Sequence, residues 1–153
     1  MNTVSNKKPL NQAMKTIFTL LLFNLTVWAQ VDTVIGDYTL VLPSDGTNVI
    51  DYSLTLSQDG TFTIHYYTAI KNRIPPESHL YGKGSWTFKN NVVSFISKPE
   101  KDVDEKHTMD FTNTKARFIK KSPRDTSDKI IKTSLQFLAS DIPWMGRVKL
   151  YKQ

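Results

Sequence analysis

Apolar and polar residues alternate with period two along most of the chain from Val34 onward, the pattern of strands with one buried face. Tyr38, Leu40 and Leu42 share one side of a first strand, with Thr39 and Val41 on the other. Ile50, Tyr52, Leu54 and Leu56 alternate with Asp51, Ser53, Thr55 and Ser57 in a second. Gln58-Asp59-Gly60 carries the Asp-Gly pair that favours a tight hairpin. The return strand then points Phe62, Ile64, Tyr66 and Ile70 inward, and Thr61, Thr63, His65 and Tyr67 outward. Ile74-Pro75-Pro76-Glu77 forbids helix and central strand alike. Gly82, Gly84, Trp86 and Phe88 form the next inward row, and Asn90-Asn91 turns the chain into Val92–Ser97.

The charged stretch Lys98–Lys106 reads as an exposed loop. It is followed by an inward row of His107, Met109 and Phe111 and, past Asn113-Thr114, by a strand over Lys115–Lys121. Beyond the polar loop Ser122–Asp128, Ile131, Thr133, Leu135 and Phe137 are expected inward. Asp141-Ile142-Pro143 breaks the chain before a closing strand with Val148 and Leu150. About nine strands at short spacing, no helix and no repeat predict an all-β domain. Nearly every connection reads as a hairpin between neighbours, so a single antiparallel up-and-down meander of about eight to nine strands, closed into a small barrel, is expected. A β-sandwich is the alternative. Closure would remove the exposed edges of such a sheet.

The first 29 residues break this pattern. Met14-Lys15 precedes the apolar run Ile17–Phe23, and Val27-Trp28-Ala29 ahead of Gln30 has the small-x-small form of a signal-peptidase site. A cleavable export signal over 1–29 is expected, leaving one domain over 30–153 that is periplasmic or secreted, without a stable membrane anchor. Met14 offers a second start. The signal removes three of the 20 basic residues, so 17 face 14 acidic ones and the net charge falls from +6 to +3. That mild charge, without a basic stripe, argues against nucleic acid. The absence of cysteine excludes disulfides, thiolate metal sites, cysteine nucleophiles and a lipid-bearing cysteine.

Short strand-and-turn motifs carry a resemblance. They are Gly36-Asp37-Tyr38, Leu42-Pro43, Ile50 with Leu54 and Leu56, Asp59-Gly60-Thr61-Phe62, Gly84 with Trp86 and Phe88, and Val93-Ser94-Phe95. Together they resemble the N-terminal, lipocalin-like barrel domain of the NlpE family of envelope lipoproteins, linked to copper homeostasis and surface sensing, over about half of the exported chain. The resemblance implies a lipocalin-like barrel. It does not extend to the family's cysteines: the Cys-x-x-Cys after Leu-Pro is replaced here by Ser44-Asp45-Gly46-Thr47. The lipocalin Gly-x-Trp has its counterpart in Gly36-Asp37-Tyr38, with Arg147 expected on the last strand. A stack of that tyrosine on the guanidinium would be worth about 0.5–2 kcal/mol.

Catalytic signatures are absent. The chain has no P-loop, dinucleotide-binding glycines, nucleophile elbow or His-Glu-x-x-His, and its paired carboxylates sit in polar loops, so no enzyme and no cofactor are expected. Ten rings, among them Tyr52, Tyr66, Trp86 and Phe111, are expected on the inner side. They either fill the barrel or line a cavity for a small apolar or amphipathic ligand. The first functional expectation is therefore an exported monomeric binding domain, with entry near Ile74–Glu77. The second is an envelope interaction or stress-sensing module with a filled core, using the loops Lys71–Leu80 and Lys98–Lys106. A third, weaker expectation is Cu(I) held by His107 and Met109 on one strand face, with Met145 nearby. Met109 as plain core filling competes with it.

Overall fold

Strands form where the alternation is cleanest. The computed structural model describes residues 33–43 and 48–153, so the expected export signal and Ser44–Thr47 lie outside the described residues. Nine strands occur among the described residues: β1 (Gly36–Pro43), β2 (Asn48–Leu56), β3 (Thr61–Ile70), β4 (Glu77–Lys89), β5 (Val92–Ile96), β6 (His107–Met109), β7 (Thr114–Ile119), β8 (Ser134–Ala139) and β9 (Lys149–Lys152). A single helical turn, α1 (Pro99–Asp102), lies in the charged stretch.

Each strand from β1 to β4 pairs antiparallel with the next. The ladder continues through β5–β7, β7–β8 and β8–β9, and β9 returns to β1. Eight strands thus close an up-and-down barrel rather than a sandwich. β6 is a ninth strand that pairs parallel with β4 beside the barrel wall. The turn chemistry fits: Gly60, Asn90, Asn91 and Asn113 all take the positive φ these turns need. No helix among the described residues is long and apolar enough to cross a membrane.

One end of the barrel is plugged. Tyr38, Leu54, Leu56, Phe62 and Ile64 are buried inside it, as are Val93, Leu135, Phe137 and Leu150. Phe62 meets the rings of Phe95 and Phe111 edge-on at 5.0 and 5.4 Å, and Phe95 stacks on Phe137 at 5.7 Å. The two polar-tipped rings at this end have main-chain partners. Tyr38 donates its hydroxyl to the Val34 carbonyl, and Trp86 Nε1 donates to the Ser57 carbonyl at 3.1 Å. Both caps keep buried polar atoms satisfied.

Three sequence expectations need correction. β8 starts at Ser134, so Ile131 lies outside it and is 38% exposed. β7 ends at Ile119, opposite Ser134, and offers no ladder to anything earlier. Val148 likewise precedes β9. Arg147 is not on the last strand: it is an exposed turn residue with φ 71°, its N–H donating to the Phe137 carbonyl. Tyr38 instead faces Lys152 across the β1–β9 ladder.

Candidate functional site

The other end of the barrel is open. Along β1 the inward residues pass from buried Tyr38 through half-buried Leu40 to Leu42, which is 43% exposed. The same gradient runs from Leu54 and Tyr52 to half-buried Ile50 on β2, while on β3 half-buried Tyr66 is followed by Thr68, which is buried again. On β4 the gradient runs backwards along the chain, from buried Gly82 to half-buried Leu80 and Ser78. Apolar side chains that point inward while remaining wet mark a mouth.

Rings from separate elements line this mouth. Tyr52 and Tyr66, directly opposite in the β2–β3 ladder, have centroids 4.9 Å apart. Trp144, from the β8–β9 connection, stacks over Tyr66 at 5.8 Å and 25° and is itself 43% exposed. Tyr66, Thr68, Arg73, Ser78, Leu80 and Trp144 enclose a concavity of about 190 Å³. A second, of about 270 Å³, lies against Thr108–Asp110 and Asp141–Trp144, so both hollows share Trp144 as a wall. Burial pushes the Tyr52 phenol up to about 12, and the neighbouring Tyr66 adds to the rise. Tyr52 therefore stays a neutral hydroxyl in the throat of the mouth. Arg73 supplies a fixed cation at the rim.

The four residues expected to line a cavity separate into two groups. Tyr52 and Tyr66 belong to the mouth. Trp86 caps the plugged end, and Phe111, fully buried, fills the interior beside β4. Gly82 makes room for it: a Cβ there would sit 2.6 Å from the Phe111 ring. The segment carrying Phe111 is fastened by buried Ser97, whose hydroxyl donates to the Lys83 carbonyl at 2.9 Å and accepts from the Phe111 N–H at 3.1 Å. Gly36, expected as a structural glycine, opens β1 at φ 135°, with the Lys152 side chain 2.9 Å from where its Cβ would be.

His107 and Met109 do not form a joint site. Two residues of β6 span one residue step of β4, with His107 opposite Tyr81 and Met109 opposite Gly82. That irregularity turns them apart. Met109 is buried, as is Met145, while His107 places Nδ1 2.9 Å from Asp104 and its ring edge-on to Tyr81. Asp104 also accepts from Lys83 Nζ at 2.7 Å. The Lys83 bond, then those from the His107 N–H and ring, hold its carboxyl well below the usual range.

Arg73, Thr68, Leu80 and Trp144 were not singled out by the sequence. Leu80 and Ser78 share parity with Gly82 and were findable. Trp144 was not, since a loop has no parity. The chain matches no family model, no curated protein and no solved structure with which it was compared, so function is argued from this geometry.

Proposed function

We propose that the domain is an exported, non-enzymatic carrier or sensor that takes a small amphipathic ligand at the Trp144 mouth. The observation that carries this reading is that inward Leu40, Leu42, Ile50, Tyr66 and Leu80 stay partly exposed at the mouth, beneath a stacked Tyr66–Trp144 pair. Ligand sites are concave, largely apolar and furnished with a few polar groups. The mouth offers the Tyr66, Leu80 and Trp144 side chains as apolar wall, the Thr68 and Ser78 hydroxyls, and a rim cation, Arg73. An apolar body carrying an anionic or hydrogen-bonding head fits that set. About 190 Å³ holds part of such a molecule, with the remainder lying across Trp144. The export signal expected over 1–29 and the resemblance to an envelope barrel domain favour action outside the cytoplasm.

Native mass spectrometry of protein purified from its own host is expected to show co-bound mass. A fluorescent anionic amphiphile, anilinonaphthalene sulfonate, should bind the same place and weaken about tenfold or more in Trp144→Ala, the usual range for a central ring anchor. Arg73→Gln should weaken it less. An apo mass, together with dye binding indifferent to Trp144→Ala, would dismiss the mouth as a ligand site and leave an interaction module as the better reading.

A further inference from the structure

The chain has three histidines, 14 and 28 residues apart, and the barrel gathers all of them on one patch of its outer wall. His65 lies opposite Tyr81 across the β3–β4 ladder, and His79 lies opposite Tyr67. The two histidines are thus diagonal neighbours on the same face. His65 Nε2 and His79 Nδ1 are 3.0 Å apart. Their ring planes lie within 4° and their centroids 5.2 Å apart, so the rings meet edge to edge and share one proton. His65 stacks on Tyr81 at 4.5 Å, and Tyr67 packs on His79 at 4.8 Å. Each imidazole is therefore held by a tyrosine, while His79 remains exposed and His65 half-exposed.

We infer that His65 and His79 form a two-imidazole site for a divalent first-row metal ion, best suited to Cu(II). Imidazole nitrogen binds such ions at about 2.0–2.1 Å. Two nitrogens 3.0 Å apart at that bond length subtend about 95° at the ion, the cis angle of tetragonal Cu(II) or Ni(II). Tetrahedral Zn(II) requires a separation of about 3.3 Å, a small widening. The imidazole planes must turn about χ2 to aim both lone pairs at one point, and that torsion is soft. The ion then replaces the shared proton.

The electrostatics around the pair are mixed. Asp51, from β2, attracts a cation beside His65, whereas Lys106 opposes it and also sits 4.9 Å from the Tyr81 ring centroid. His107 is committed to Asp104. Among the described residues no three His, Asp or Glu side chains gather around one point, so water completes the coordination shell. The site is accordingly open and exchangeable, unlike a buried structural centre. By the usual ordering of divalent ions on nitrogen ligands, Cu(II) binds more tightly than Ni(II) or Zn(II).

Calorimetric titration of the purified protein with Cu(II) tests this, with electron paramagnetic resonance of the one-equivalent complex. The expected result is one site with hyperfine coupling to two imidazole nitrogens. His65→Gln and His79→Gln should each weaken it about tenfold or more, and His107→Gln should leave it intact. Matching melting curves of the metal-free variants would show that the outer-face substitutions preserve the fold. If the double variant His65→Gln/His79→Gln titrates like the parent, or the spectrum lacks two-imidazole coupling, the site does not exist. Neither outcome touches the mouth, which lies inside the barrel.

Discussion

The plugged end and the open mouth are built from the same strands, yet they differ in how their aromatic side chains are finished. At the plugged end Phe62, Phe95, Phe111 and Phe137 touch one another, and the polar tips of Tyr38 and Trp86 are tied to main-chain carbonyls. At the mouth Tyr66 has a partner in Trp144, but that partner comes from a connection and is itself wet. The rings at the first end are buried, so they stabilise the fold. At the second end burial is incomplete, so its rings are available to something else. A small barrel is just wide enough to be filled at one level and hollow at another.

Substitution of one ring from each end should break this contrast most directly. Phe111→Ala should cost about 3–5 kcal/mol, because it leaves a hole among rings that cannot collapse. Trp144→Ala should cost less than about 1 kcal/mol, being half-wet already. Urea unfolding of both variants checks it. Equal losses would mean the mouth is as structural as the core.

Gly82→Ala is expected to cost about 1–3 kcal/mol by driving a methyl into Phe111. In a double-mutant cycle Phe111→Leu should recover part of that loss. Additive costs would show that Gly82 serves something other than the approach of that ring.

A smaller effect concerns alkali. The folded Tyr52 phenol lies near 12, above its unfolded value of about 10. Its contribution to stability is present below about pH 10 and is lost as pH rises toward 12. Tyr52→Phe should flatten this part of the stability profile, which urea unfolding across that pH range checks.

The smallest effect is local. Asp104→Asn releases Lys83 and His107 and should speed amide exchange in β6 several-fold while moving the global melting temperature little. In the parent, the lowered carboxyl keeps this contribution above about pH 4 and gives it up as pH falls further.

Much of the fold was legible in single residues. Asp59-Gly60 and Asn90-Asn91 announced their turns because few residue types tolerate positive φ, and parity announced the inward rows. Ile131 misled because β-branched character marks a residue that suits a strand, while a strand exists only where a partner ladder reaches. Of the expected cavity residues, Tyr52 and Tyr66 lie on the inner side at the mouth, while Trp86 and Phe111 lie in the packed interior. No rule of alternation says at which level of a barrel a ring sits. His107 and Met109 shared parity, but the irregular step against Tyr81 and Gly82 broke it.

The sequence by itself determined that this chain makes paired strands with one apolar face, because alternation is a local property that each hairpin satisfies on its own. The tertiary structure alone decided that the core is plugged at one end and open at the other, that Trp144 lies over Tyr66, and that His65 meets His79. Those are contacts between residues far apart in the chain. Their formation depends on register and closure, which no single segment encodes.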